Sequence, residues 1–273
     1  MGKTMMINGR LLHYEDDGGD GETIIALHGL SGNYKQLHFF AEHFKGRYRF
    51  ISIDAKGRGK SEAQKPSSYD VHSDDVYALV EKLQIDSPIL LGFSMGAFVM
   101  AHAATKLPSV QKLVLIDGAA KVAEHQRALI EPSISRLAQT YDTREHYIEQ
   151  MKALYRGLHV NWSEPLAHAA NYELEQTANG WQTIARPDVI AADFESLMSY
   201  PHKQIFSRIA CPVFVVHCEG KLIDAPLFRA EDFSETLTYA QSIEKMTVLS
   251  NHYSVACEPQ PELYAQIERF LQK

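Results

Sequence analysis

Long apolar runs are missing from this chain: none approaches the roughly 18 residues that a membrane-spanning helix needs. Basic charge is also in short supply. There are 27 Lys and Arg against 34 Asp and Glu, a formal net charge of −7. Nucleic acid and anionic membrane both demand a basic face, so neither is expected as a partner. Cysteine is scarce. Cys211, Cys218 and Cys257 are odd in number and form no C-x-x-C, which excludes a disulfide framework and fits a reducing compartment. The first residues lack a basic stretch followed by an apolar run, so no secretion signal is expected and the expected location is cytoplasmic. The 13 histidines show no H-E-x-x-H or other ligand spacing, so no metal is expected. No G-x-G-x-x-G or phosphate loop follows a strand, so no nucleotide cofactor is implied, and the expectation is no cofactor at all.

What remains is an ordinary globular composition, 45% apolar and 22% charged. The length of 273 residues is about 1.8 times a typical domain of roughly 150. That suggests one core with a large insertion. Short apolar runs recur between turn residues: Thr23–Leu27, Phe50–Ile53, Pro88–Leu91, Leu113–Ile116, Val213–Val216 and Met246–Leu249. Most are continuous rather than alternating, as in strands buried on both faces of a parallel sheet. Helical spacing fills the gaps, with Val76, Leu79, Val80 and Leu83 on one face and Ala97, Met100, Ala101 and Ala104 on another. The alternation predicts an α/β fold with right-handed crossovers. Asn8-Gly9, between Thr4–Ile7 and Leu11–Glu15, predicts an antiparallel hairpin at the start. From Lys121 to Ser207 no strand is evident. The expectation is a helical insertion over 121–207, splitting a core of 1–120 and 208–273.

The chemistry gathers around Gly92-Phe93-Ser94-Met95-Gly96, which follows a buried strand and opens a helix. A serine nucleophile has to be presented on such a sharp turn, with small neighbours that let the backbone bend. The helix N-terminus offers N–H groups to a developing oxyanion. His28-Gly29-Leu30 directly follows Thr23–Leu27, and its glycine lets the loop turn over the strand end. The N–H groups of Leu30 and Met95 would then face each other as an oxyanion hole. His252 follows the last strand and precedes a helix over Pro261–Leu271. An imidazole there suits a base that takes and returns a proton near neutral pH. His28, Gly29, Phe93 and Tyr253 are the candidate substrate contacts.

Together these motifs resemble the α/β-hydrolase fold superfamily, in an esterase-like bacterial branch with a helical cap. The resemblance rests on His28-Gly29, on Asp54-Ala-Lys56-Gly57-Arg58-Gly59-Lys-Ser61 (close to D-x-R-G-x-G-x-S, with lysine for the usual arginine), on the serine elbow and on Asn251-His252-Tyr253. It implies a mostly parallel central sheet flanked by helices, with the insertion after the sixth strand acting as a lid. It also implies an acid partner for His252. The superfamily's usual place for it is a pattern like H-G-x-x-D, but this chain reads His217-Cys218-Glu219-Gly220-Lys221. Asp117, at the end of Leu113–Ile116, and Asp224, three residues beyond Lys221, are the two candidates. Either would fix the imidazole tautomer.

The activity so implied is hydrolysis of a small or medium carboxylic ester through an acyl-enzyme, with a small molecule as the only partner. The same triad also serves thioesters, lactones, carbon–carbon bonds and cofactor-free peroxidation, and some members of the fold are ligand receptors. A serine elbow disfavours epoxide hydrolase and haloalkane dehalogenase chemistry. The acidic balance gives a weak preference for a neutral substrate. Asp54 to Ser61 reads as a loop pinned by hydrogen bonds. The aromatics Tyr141, Tyr147, Tyr155, Trp162, Tyr172 and Trp181 read mainly as the insertion's own core.

Overall fold

Asn8 and Gly9 both have positive φ, 47° and 80°, which is the backbone a two-residue hairpin turn requires. They join β1 (Gly2–Ile7) to β2 (Arg10–Asp16) as an antiparallel pair, with Ile7 opposite Arg10. The computed structural model describes residues 2–273. Six further strands complete the main sheet: β3 (Thr23–Leu27), β4 (Arg49–Ile53), β5 (Ile89–Phe93), β6 (Lys112–Ile116), β10 (Val213–Gly220) and β11 (Ile243–Asn251). Their spatial order is β1-β2-β4-β3-β5-β6-β10-β11. The β1/β2 and β2/β4 contacts are antiparallel and the others parallel.

The strand side chains divide between two cores. Ile25, Leu27, Leu90, Leu113, Leu115 and Val215 lie in one, while Ile24, Ala26, Leu91, Val114, Ile116 and Val216 lie in the other. Alternate residues point to opposite faces, and both faces are covered by helices, so the runs are apolar throughout. The helix Met95–Lys106 is buried along nearly its whole length, as its alanines and small neighbours permit. The helix Tyr69–Leu83 is capped by Ser68, whose Oγ accepts from the Val71 N–H, and buries Val76, Leu79 and Val80.

Between β6 and β10 the expectation of a strandless segment fails. A small antiparallel sheet, ordered β7-β9-β8, is formed by β7 (Thr140–Tyr141), β8 (Leu174–Thr177) and β9 (Gly180–Thr183). These strands hold two to four residues, largely Thr, Gln and Glu, and so lack any apolar alternation. The local signal is Asn179-Gly180, with Gly180 at φ +122°. The rest of this segment is helical, including Glu124–Arg136, Arg144–Gly157, Glu164–Tyr172 and Pro187–Met198. Tyr141, Tyr147 and Met151 form a small core of its own, with Tyr155, Trp162 and Trp181 packed against it. Phe194, Leu197, Tyr200 and Phe206 instead join the main core, and the Tyr200 hydroxyl donates to the Phe98 carbonyl at 2.8 Å. Residues 187–207 are therefore continuous with the packing under the sheet.

Candidate active site

Ser94 stands between β5 and the helix Met95–Lys106 with φ 54° and ψ −119°, a conformation rarely adopted by a residue with a side chain. The surroundings enforce it. The Ser94 N–H donates to the Ile116 carbonyl at 2.9 Å, and its own carbonyl accepts from the Ala97 N–H at 2.9 Å. Glycine is needed where backbones meet at the turn. A Cβ on Gly96 would collide with the Leu27 carbonyl, and one on Gly118 with the Ser94 carbonyl oxygen. Strain of this kind costs about 1–3 kcal/mol and persists only where packing over-determines it.

His252 lies in the turn after β11. Its Nδ1–H donates to Asp117 Oδ2 at 2.7 Å, which leaves Nε2 as the ring's acceptor. Asp117 is fully buried, and its Oδ1 accepts the Cys218 N–H at 2.9 Å. Of the two candidate acids, Asp117 is the one brought to His252. Asp224 and Lys221 are exposed in the loop after β10, and Glu219 is exposed near the end of that strand. The reason is topological: β6 and β10 are neighbours, so the strand-end Asp117 already occupies the space that a loop carboxylate would need. Cys218 is an unreactive neighbour, its thiol pushed well up by burial and then by Asp117.

No motif gives Asn251 a role of its own, yet it builds the turn that carries His252. Its Oδ1 accepts from the N–H groups of Tyr253 and Ser254, both at 2.9 Å, and its Nδ2 donates to the Leu158 carbonyl at 2.8 Å. An Asn two residues before a turn N–H is a local sequence signal for such a turn. The His252 ring packs against Phe93, with ring centres 5.0 Å apart.

Ser94 and His252 line one cavity of about 40 Å³. Gly29, Leu30, Phe93 and Tyr253 line it too, with Leu129 and Ile130 from the insertion and Leu222 and Leu227 from the loop after β10. Among the described residues no acceptor takes the N–H of Leu30 or of Met95. His28 does not reach the cavity, which corrects its expected substrate contact. It is fully buried; its Nδ1–H donates to the Gly29 carbonyl at 2.6 Å and its Nε2 accepts the Ala55 N–H at 3.0 Å. Burial pushes its pKa down to about 4, so the ring is a neutral brace. Among the insertion aromatics, none lines this cavity.

The Asp54–Ser61 loop is pinned as its composition implies. Asp54 accepts from the Tyr34 N–H at 2.8 Å, the Lys60 N–H at 3.0 Å and the Tyr172 hydroxyl at 2.5 Å. Arg58, fully buried, goes further. Its Nε donates to the Leu30 carbonyl at 2.9 Å, Nη2 lies 3.7 Å from Met95 Sδ, and Nη1 pairs with Asp193 of the insertion. Asp193 also accepts from Ser67 at 2.5 Å and lies 3.0 Å from His72 Nε2. Burial pushes the Asp193 carboxyl up, but His72 and Arg58 together hold it well below its usual range. No sequence pattern links residues 58 and 193, so this brace across the two segments has no signal in the sequence.

A strained serine between a parallel strand and a helix and a carboxylate-paired histidine after the last strand define the class of fold. The α/β hydrolase fold family model matches residues 22–254, and the chain belongs to that family. It is similar to the AB hydrolase superfamily protein YisY of Bacillus subtilis, 36% identical over 111 residues, which are 39% of this chain and 41% of that one. It is also similar to the N-formylmaleamate deformylase of Pseudomonas putida, 34% identical over 119 residues, 42% of this chain and 44% of that one. The chain thus matches less than half the length of these relatives. Among solved structures, E-2-(acetamidomethylene)succinate hydrolase superposes with a TM-score of 0.87 at 20% identity, covering 100% of this chain and 99% of that one. The thioesterase domain from the curacin pathway gives 0.77 at 15% identity, covering 100% and 98%. At these identities the likeness is one of fold.

Proposed function

We propose that the protein is a serine hydrolase that cleaves a small or medium carboxylic ester through an acyl-enzyme. The observation that carries this reading is the 2.7 Å bond from His252 Nδ1 to buried Asp117, with Ser94 on the wall of the same cavity as His252. Ser94 Oγ attacks the carbonyl carbon while His252 Nε2 takes its proton, and Asp117 stabilises the resulting imidazolium. The N–H groups of Leu30 and Met95 hold the oxyanion. The tetrahedral adduct collapses, His252 gives the proton to the departing alkoxide, and an alcohol leaves. Water, deprotonated by His252, then attacks the acyl-enzyme and releases the acid. The cavity walls of Leu129, Ile130, Leu222 and Leu227 suit a short apolar acyl segment next to the reacting carbon.

The family spans several bond types: relatives of this chain include a putative esterase/lipase of Haemophilus influenzae and a deformylase of Pseudomonas putida. The bond is tested by kcat/KM on a 4-nitrophenyl ester chain-length series beside matched thioesters, lactones and formamides. The expected result is highest kcat/KM on esters of short acyl chains. A formamide or thioester preferred over every ester by tenfold or more would overturn the ester assignment.

A further inference from the structure

A second cavity, also of about 40 Å³, adjoins the one that holds Ser94. Ser31, Gln36, Ser133 and Tyr253 line both, and the Ser133 and Tyr253 hydroxyls lie 3.4 Å apart on this common wall. The far side of the second cavity is built around Arg136, in the last turn of the helix Glu124–Arg136, with Glu173 beside it. Among the described residues that line the two cavities, Arg136 is the one Lys or Arg.

The Arg136 side chain is only 15% exposed. Its Nη1 is occupied, donating to the Tyr147 hydroxyl at 3.0 Å and lying 3.3 Å from Met151 Sδ and 3.6 Å from Glu173 Oε1. Its Nε is buried with no partner, and no acceptor among the described residues takes Nη2. A buried donor left unpaired is costly, and native interiors rarely carry one without a bound group or water. The unused Nε and Nη2 N–H bonds are parallel, which is the fork that a carboxylate engages with both oxygens. Glu173 pairs with Arg136 on the occupied side of the guanidinium: its Oε1 lies 3.6 Å from Nη1 and accepts from the Tyr147 hydroxyl, which leaves the Nε–Nη2 edge open.

We infer that the free edge of Arg136 is a subsite for a carboxylate carried by the substrate, so the preferred substrate is an anionic half-ester rather than a neutral ester. This rests on the serine hydrolase reading and reverses the weak preference drawn from the net charge. The charge of −7 belongs to the whole chain, whereas selection happens beside one guanidinium inside a cavity. Distance along the substrate separates its two functions: the reacting carbonyl lies at Ser94 and the carboxylate beyond the Ser133–Tyr253 wall.

The test compares mono-(4-nitrophenyl) glutarate with its methyl ester, which is the same molecule without the charge. Wild type is expected to show kcat/KM roughly 10–100-fold higher for the free acid, the range for a charge-assisted hydrogen-bonded pair. Arg136→Gln is expected to bring the ratio of kcat/KM for the free acid over the methyl ester down to about one, and Arg136→Lys, which keeps the charge but loses the fork, is expected to give a ratio in between. Equal wild-type rates on both compounds, or an Arg136→Gln loss that is the same for both, overturns the subsite and leaves the hydrolase reading standing. A folded wild type that turns over neither compound and resists a fluorophosphonate overturns the hydrolase reading. Calorimetric titration of glutarate then decides the subsite alone. Binding to wild type and Ser94→Ala that is lost in Arg136→Gln supports it, and no binding to wild type overturns it.

Discussion

Replacing Asp117 by Asn keeps the side chain's volume and removes its charge, and the surrounding hydrogen bonds determine the consequence. The carboxylate serves two donors, His252 Nδ1–H at 2.7 Å and the Cys218 N–H at 2.9 Å, in a site with no solvent exposure. An amide has one oxygen to offer them. The Cys218 N–H belongs to β10 and cannot turn away, so the oxygen goes there and the NH₂ faces His252. The ring must then accept at Nδ1 and carry its proton on Nε2, where it cannot take the Ser94 proton. A wrong tautomer of this kind in a serine protease triad lowers kcat by about 10⁴, equivalent to about 5 kcal/mol of transition-state stabilisation. Stability should hardly change, because each buried donor keeps a partner or becomes an acceptor. Asp117→Ala differs: it strands two buried N–H groups at about 1–3 kcal/mol each, or about 2–6 kcal/mol in all. The assay is steady-state hydrolysis of a 4-nitrophenyl ester near neutral pH beside urea denaturation. Asp117→Asn within tenfold of wild type, or Asp224→Ala losing as much activity, would refute the reasoning.

Gly118→Ala drives a methyl group into the Ser94 carbonyl and should cost about 1–3 kcal/mol together with activity, whereas Gly157→Ala, where a Cβ meets nothing, should be harmless to both in denaturation and rate measurements. Buried His28, with its pKa lowered to about 4, binds fewer protons in the folded chain than in the unfolded one. Its contribution is complete above about pH 6.5 and declines by about 3 kcal/mol as pH falls to about 4, so denaturation midpoints of His28→Gln should fall less steeply over that window than those of wild type. Asp193→Ala leaves Arg58 as an unpaired buried charge and should destabilise by about 3–5 kcal/mol in urea, with a loss under 1 kcal/mol showing that the pair does not brace the loop.

The inner strands of the main sheet are legible in the sequence because burial on both faces leaves uninterrupted apolar runs; the bounds of β3 follow from composition alone. β7, β8 and β9 are not, since short polar strands on an insertion have no such signature. Ser94 is marked by local glycines, and His252 by its position after the last strand. The sequence leaves the acid open between Asp117 and Asp224, because the choice depends on how β6 and β10 pair and not on any local pattern. Arg58–Asp193 and the free edge of Arg136 are beyond its reach for the same reason: each is defined by a partner distant in the chain, or by the lack of one. His28 misleads because a histidine after a strand looks like a site residue until both ring nitrogens are found bonded to the backbone.

The central claim is that Ser94 is a nucleophile activated by His252. Intact-mass analysis after treatment with a fluorophosphonate tests it most directly. The account predicts one adduct on wild type, mapped to Ser94, none on Ser94→Ala, and labelling slowed by orders of magnitude in His252→Gln. A folded wild-type protein that takes no adduct, or takes it at another residue, would contradict it.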